Sequence, residues 1–268
     1  MDLPDKVYDF HVHIYPEKIA RKAVESVGNY YLIKMQCEDG TVDELKRRVA
    51  GSGITNSLVH SVAVAPRTVQ SIKNFISEQC AAHPELVGFG AMHADYPEPE
   101  EEIDRMISLG LRGVKIHPDT QFFDLDDPKM MRVYDYMRQK GLPLLAHVGD
   151  YRVDYTHPRR LKHILREFPD LTVIGAHFCG WSLWDLAIEF VKDENCFMDT
   201  SSSIMYTGNV RAKELINIYG ADRCLFGSDF PMWDPKAELE NFMTLGLTDE
   251  QYEKTLYINA ERVLGIRK

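Results

Sequence analysis

Residues 99–118 read PEEEIDRMISLGLRGVKIHP and contain one complete helix-to-strand unit. Ile103, Met106 and Ile107 recur at the spacing of one helix face, and Gly110 supplies the residue type that commonly ends a helix. The run that follows, residues 111–118, is short and rich in β-branched residues, as buried strands are. The stretch therefore predicts an amphipathic helix that leads directly into a strand.

The same alternation of apolar run and helical segment occurs eight times along the chain. It implies a parallel sheet with helices outside, and eight units in this length suit a (β/α)8 TIM barrel, which typically takes ~250 residues. A doubly wound open sheet is the competing arrangement. No linker or low-complexity tract divides the chain, so we expect one α/β domain over residues 1–268. The predicted strands lie in residues 7–15, 55–64, 85–93, 111–118, 142–149, 171–180, 196–202 and 223–231.

Composition limits the partners of the protein. A formal net charge of −10 argues against nucleic acid and anionic membranes, which select basic surfaces, and leaves a small-molecule substrate as the expectation. No apolar run is long enough to span a bilayer and the N-terminus lacks a signal segment, so we expect a cytoplasmic protein. The five cysteines are widely spaced and never form C-x-x-C, which indicates reduced thiols. A homodimer is left open.

Two histidines one residue apart, His11 and His13, lie in the first predicted strand. Side chains two apart on a strand share a face, so both imidazoles point the same way. His147, His177 and Asp229 each lie near the end of another predicted strand, where a barrel would bring all five together. Such a set binds Zn²⁺, Mn²⁺ or Fe²⁺, whereas the alternative is a group of hydrogen-bonded polar residues in the barrel interior. Spacing alone does not separate His177 from the ligands.

Several stretches together resemble the amidohydrolase-related family of TIM-barrel enzymes. They are DFHVH (9–13), GVKIHP (113–118), LAHVG (145–149), HPRRLKHILREFPDLTVIGAH (157–177), LFGSDFP (225–231) and INAERVLG (258–265). The family includes hydrolases, lactonases and nonoxidative decarboxylases such as aminocarboxymuconate-semialdehyde decarboxylase. The resemblance implies one divalent metal ion per chain, with zinc as the expected metal and manganese or iron as the alternatives. It implies His11, His13, His147 and Asp229 as ligands and His177 as the acid/base residue beside the metal.

The resemblance implies a metal-dependent hydrolase of a small amide, ester or lactone that uses a metal-activated water. Asp229 would orient this water and accept its proton, while His177 would deliver a proton to the leaving group. The alternative is a metal-dependent nonoxidative decarboxylase of a small carboxylic acid, aromatic acids included, in which Arg67 or Arg152 would hold the carboxylate. A barrel that binds a metal or ligand without catalysis is the third reading.

Two further positions and one loop have open interpretations. Cys179 stands where the family commonly has glycine, and we expect a small packing residue on the inward face that His177 occupies. Lys115 is expected to pair with a carboxylate or orient substrate, and in binuclear relatives such a lysine bridges two metals. Residues 15–40 are predicted to be irregular and to form a lid or an excursion over the strand ends.

Aromatic residues in the loops lead us to expect a planar substrate.

Overall fold

A computed structural model describes residues 3–266 of the chain. Each predicted run contains a short parallel strand, and the third run contains two that are separated by Phe89. The strands are β1 (Tyr8–His13), β2 (Asn56–His60), β3 (Leu86–Gly88), β4 (Gly90–Ala91), β5 (Val114–Ile116), β6 (Leu144–Ala146), β7 (Val173–Gly175), β8 (Phe197–Asp199) and β9 (Cys224–Leu225).

The strands follow one another in sequence order around a ring. Parallel pairing runs from β1 to β3 and from β4 to β9, and Phe89 joins the two series by donating its N–H to Val59 O at 3.0 Å. The ring closes where Phe10 donates to Phe226 O at 2.8 Å and Asp229 donates to His11 O at 2.8 Å. The predicted TIM barrel is confirmed, and the open sheet is wrong.

Helices lie between successive strands. Five of these helices have proline at their first position, where its missing N–H and fixed φ cost nothing: Pro99, Pro118, Pro128, Pro158 and Pro235. The helices are α1 (Glu17–Tyr31), α2 (Val42–Val49), α3 (Val69–Ala82), α4 (Pro99–Ser108), α5 (Pro118–Gln121), α6 (Pro128–Gln139), α7 (Pro158–Glu167), α8 (Ala176–Cys179), α9 (Trp184–Val191), α10 (Ile204–Tyr219), α11 (Pro235–Phe242), α12 (Asp249–Glu253) and α13 (Asn259–Val263). The irregular stretch predicted for residues 15–40 is therefore wrong over helix α1 and holds for residues 32–40.

Two layers of apolar side chains hold the barrel together. Val114, Leu144 and Val173 point outward and pack with the surrounding helices, while Leu145 and Ile174, at the alternate positions, point inward. The inward residues pack at the end of the barrel opposite the histidines, where residues of α13 cover them. Within residues 3–266, no helix has the length and apolar character needed to cross a membrane.

A register shift in β1 positions the first functional residues. Asp9 pairs with Ser57, but Val12 pairs with Val59, so β1 has one residue more than β2 over this interval and contains a β-bulge. Bulges of this kind redirect side chains and are common beside active sites. Beyond the bulge His13 pairs directly with His60. The bulge thus sets a third histidine next to the predicted pair.

Candidate metal centre and active site

The five predicted site residues line one cavity at the C-terminal end of the barrel strands. The cavity has a volume of about 940 Å³. Its lining includes His11 and His13 in β1, His147 directly after β6, His177 in α8, and Asp229 in the loop after β9. The expected convergence of these residues is therefore found in the structure.

Three of their donor atoms form a nearly equilateral triangle. His11 Nε2 lies 3.3 Å from His13 Nε2 and 3.4 Å from Asp229 Oδ1, and His13 Nε2 lies 3.5 Å from the same carboxylate oxygen. Ligand bonds of about 2.0–2.2 Å in a tetrahedral zinc site separate neighbouring donors by roughly 3.4 Å. The three atoms thus have the spacing of one face of a metal tetrahedron.

The chemistry of the donor set fits a cation. His11 Nδ1 donates to Asp199 Oδ2 at 2.8 Å, so this nitrogen carries the ring proton and Nε2 presents a lone pair to the triangle. Burial lowers the pKa of both His11 and His13 well below the ordinary histidine value, which keeps them neutral as ligands must be. Lys115 Nζ donates to His11 Nε2 at 3.0 Å and is the positive group that the structure places there.

Burial also changes the protonation of the two charged residues beside the triangle. It raises the pKa of Asp229 to about 7, against a hydrogen bond from Ser202 that favours the carboxylate. It lowers the pKa of Lys115 to about 8, although Asp199 and Asp229 favour the ammonium. Both groups can therefore exchange a proton near neutral pH, where general acids and bases are most effective.

His147 contacts His177 rather than the triangle. His147 Nε2 donates to Gly149 O at 2.8 Å, and His177 Nδ1 donates to Ser201 O at 2.9 Å. The remaining nitrogens, His147 Nδ1 and His177 Nε2, consequently face each other at 3.1 Å as two lone pairs. Such a contact requires a shared proton or a cation near both atoms. His177 also lies with His11 and Asp229 in a group of donors within 4.8 Å of one another.

The backbone at both predicted catalytic residues is left-handed. Asp229 has φ 63°, and His177, Phe178 and Cys179 have φ values of 60°, 53° and 60° in succession. Non-glycine residues in this region are strained, and such strain clusters at functional sites. Because α8 turns here, strand alternation does not apply, and the predicted inward face for Cys179 is wrong. Its thiol points to Gly175 O at 3.7 Å within the outer core, which agrees with a packing role.

A model of the amidohydrolase family matches residues 8–266. The chain belongs to the amidohydrolase family. Several solved structures match this amidohydrolase over nearly the whole length of both chains. Their sequence identities to it are low, so the likeness establishes the fold and not the reaction.

Three of these structures are representative. A TIM-barrel protein from Bordetella bronchiseptica has 21% identity and a TM-score of 0.75, with 97% of this chain and 98% of that chain covered. A 2,6-dihydroxybenzoate decarboxylase with bound 2,6-dihydroxybenzoate has 17% identity and a TM-score of 0.76, with coverages of 97% and 99%. A dihydroxybenzoic acid decarboxylase from Polaromonas sp., with manganese and the inhibitor 2-nitroresorcinol, has 16% identity and a TM-score of 0.75, with 97% of each chain covered.

The structure of this amidohydrolase adds site residues that the sequence analysis missed. Asp199 ends β8 and orients His11, and its position at a strand end was the available signal. His60 is buried, neither of its ring nitrogens has a hydrogen-bond partner among residues 3–266, and its ring centroid lies 4.4 Å from that of His13. His117 stacks on His147 with 3.9 Å between ring centroids and 7° between planes. His60 and His117 follow the same strand-end pattern that identified the predicted residues.

The two arginines expected to hold a substrate carboxylate have other positions in the amidohydrolase. Arg67 is exposed and does not belong to the cavity lining. Arg152 forms a two-point ion pair with the fully buried Asp150, with Nη2 to Oδ2 at 2.6 Å and Nε to Oδ1 at 2.9 Å. The charge of Arg152 is therefore largely neutralised before any substrate enters. The catalytic and ligand roles of the five predicted residues stay predictions.

Proposed function

We propose that the protein is a metal-dependent hydrolase that cleaves an amide, ester or lactone bond in a small molecule. The observation that carries this proposal is the donor triangle of His11, His13 and Asp229, with edges of 3.3–3.5 Å, beside a histidine that can transfer a proton. Membership of the amidohydrolase family supports it. The pairing of Arg152 with Asp150 also favours hydrolysis, because the cation expected for a departing carboxylate is occupied.

His11 and His13 would hold the metal through Nε2 and Asp229 through Oδ1. His147 is proposed as the fourth ligand, which requires its ring to turn because Nε2 now donates to Gly149 O. When bound, a divalent ion lowers the pKa of a water molecule toward ~7 and polarises a substrate oxygen. The nitrogen-rich ligand set supports zinc. Manganese is the alternative, since the Polaromonas decarboxylase contains it.

Asp229 and His177 would move the protons. Ser202 donates a hydrogen bond to the Oδ2 atom of Asp229 and fixes the carboxylate, and the second lone pair of Oδ2 would take a proton from the attacking water while Oδ1 faces the metal. His177 Nδ1 donates to Ser201 O, so Nε2 carries the lone pair, and it would protonate the leaving group after it receives the proton that Asp229 takes from the water. Donor atoms of these two residues and of His11 lie within 4.8 Å of one another, and the ring centroids of His11 and His177 are 5.1 Å apart.

Nonoxidative decarboxylation of a small aromatic acid is the second candidate. Two decarboxylases of dihydroxybenzoates have this fold, and the cavity has aromatic walls that include Tyr30, Tyr31, Phe122 and Trp181. Planar rings fit between such walls. In this reaction His177 or Asp229 would protonate the substrate carbon after carbon dioxide leaves.

A product assay distinguishes the two reactions. The metal-loaded protein is incubated with panels of aromatic carboxylic acids, lactones, esters and amides, and carbon dioxide release is measured beside acid release. Acid release from a lactone, ester or amide, abolished in His11→Ala, supports hydrolysis. Carbon dioxide release without acid release would overturn hydrolysis in favour of decarboxylation.

We further propose that the substrate is a small molecule, that nucleic acid is not a partner, and that the protein acts in the cytoplasm. The net charge of −10 supports the first two points, since nucleic acid selects basic surfaces. A homodimer is proposed as the assembly, and light scattering at several protein concentrations tests it. A monomer mass at every concentration would overturn the dimer.

A further inference from the structure

Helix α1 brings the side chain of Tyr31 into the cavity. The hydroxyl oxygen of Tyr31 lies 2.7 Å from His117 Nε2, and both residues line the same cavity as the donor triangle. The Tyr31 ring meets Trp181 edge-on, with 5.0 Å between centroids, and lies 6.4 Å from the ring of His147. A residue outside all barrel strands therefore contributes a polar group to the site.

Arg152 fixes the end of α1 that carries this tyrosine. Its Nη1 donates to Tyr30 O at 2.7 Å, and its guanidinium lies over the rings of Tyr30 and Tyr31 at 4.7 Å and 5.2 Å from their centroids. Asp150 holds the other edge of the guanidinium. The position of the Tyr31 hydroxyl is thus set by contacts on the backbone and on the ring.

The hydrogen bond to His117 determines where the hydroxyl proton points. His117 Nδ1 is buried and has no hydrogen-bond partner among the described residues. A proton on Nδ1 would be a buried N–H without an acceptor, which folded proteins rarely contain, whereas an unpaired acceptor is less rare. The proton therefore lies on Nε2, which donates to the Tyr31 oxygen.

Tyr31 then keeps its own proton for another acceptor. Within residues 3–266 the hydroxyl has no second hydrogen-bond partner. A molecule in the cavity is the remaining acceptor.

We infer that Tyr31 is a substrate-binding residue whose hydroxyl donates a hydrogen bond to an acceptor oxygen, of a carboxylate or a carbonyl group, on a planar substrate. The inference rests on the proposed function only in taking this cavity as the substrate site. It also accounts for the pairing of Arg152, which positions the donor instead of contacting the substrate.

Binding of two probes to Tyr31→Phe tests the inference without turnover. The probes are 2,6-dihydroxybenzoate, which has a carboxylate, and resorcinol, which is the same ring without it. Dissociation constants are measured by calorimetric titration of the zinc-loaded protein. Loss of a hydrogen bond to a charged acceptor should weaken binding of 2,6-dihydroxybenzoate about 10- to 100-fold, and binding of resorcinol should change by less than about threefold.

Tyr151→Phe is the control, because Tyr151 is an exposed tyrosine next to Arg152 in the chain and does not belong to the cavity lining. It should bind both probes like the wild type. Equal losses for both probes in Tyr31→Phe would show a merely structural role and overturn the inference. Unchanged binding, or no binding of 2,6-dihydroxybenzoate by the wild type, would also overturn it. A catalytically silent protein that shows the selective loss would disprove the proposed reaction and leave the role of Tyr31 intact.

Discussion

The buried carboxylate of Asp199 accepts a hydrogen bond from His11, with 2.8 Å between Oδ2 and Nδ1. A carboxylate cannot donate, so this contact fixes the ring proton of His11 on Nδ1 and directs the Nε2 lone pair to the donor triangle. Orientation of a ligand histidine by a carboxylate typically contributes 10- to 100-fold to metal affinity. Asp199 therefore determines that the lone pair of His11 is on Nε2, the nitrogen in the donor triangle.

Asp199→Asn should weaken zinc binding about 10- to 100-fold, because the amide can donate to Nδ1 and stabilise the wrong tautomer. Competition with a chromophoric chelator measures this affinity. Asp193→Asn, an exposed residue shortly before β8, is the control and should bind zinc like the wild type. Thermal unfolding of the metal-free variants separates lost affinity from lost folding. Unchanged zinc affinity in folded Asp199→Asn would contradict the proposed role.

Metal content should be one divalent ion per chain. Elemental analysis of protein purified without chelators, and of protein offered Zn²⁺ or Mn²⁺, measures the ratio. The triangle of His11, His13 and Asp229 offers three donor atoms to a single ion, and Lys115 Nζ, 3.0 Å from His11 Nε2, must leave this nitrogen when the ion binds. Two ions per chain would instead indicate that Lys115 bridges them. Protein that stays metal-free under both conditions would refute the metal centre.

Glu238 should make stability depend on pH. Burial raises its pKa to about 7 from an ordinary value of 4.5, and Asp9, Asp229 and Asp234 add repulsion. Between these values the folded state binds more protons than the unfolded chain, so the free energy of unfolding falls as pH rises. Glu238→Gln should be more stable than the wild type by about 1–3 kcal/mol at pH 8, with no difference near pH 4.5.

Urea unfolding at both pH values measures the effect of Glu238→Gln. Glu240→Gln, at an exposed position of the same helix, is the control and should show no such dependence. A stabilisation of equal size at pH 8 and at pH 4.5 would mean that packing, and not the ionisation of Glu238, is responsible.

Local periodicity predicted the fold, and strand ends predicted most of the site. The barrel followed from eight alternations that each depend on residues a few positions apart. The convergence of His11, His177 and Asp229 followed because parallel strands end at one rim. The neighbours of His13 could not be predicted in this way. They depend on the register between β1 and β2, which the bulge in β1 shifts, and this shift leaves no pattern in the local sequence.

Contacts between distant loops were beyond sequence reasoning. Arg152 was expected to hold a carboxylate of the substrate, but it binds Asp150, two residues earlier, and the end of α1, 122 residues away from it along the chain. Tyr31 was not singled out at all, because its region was predicted to be irregular and its contact with His117 spans 86 residues. Pairings of this kind depend on tertiary packing, which a periodic pattern does not encode.

His177 should be separable from the ligands by mutation. His177→Asn keeps the size and a hydrogen-bonding side chain but removes the group that titrates. As a general acid or base His177 should contribute about 10²- to 10⁴-fold to turnover, so activity falls by this factor. The metal should stay bound, because His11, His13 and Asp229 still form the triangle.

His11→Ala should lose metal and activity together, since it removes two of the three edges of the triangle. Metal content and turnover of both variants are measured on the same preparations, after thermal unfolding shows that each is folded. If His177→Asn loses metal as completely as His11→Ala, His177 is a ligand, as its donor group with His11 and Asp229 permits. If turnover is unaffected, the proton comes from another residue, and His117 and Asp229 are the next candidates because both line the cavity.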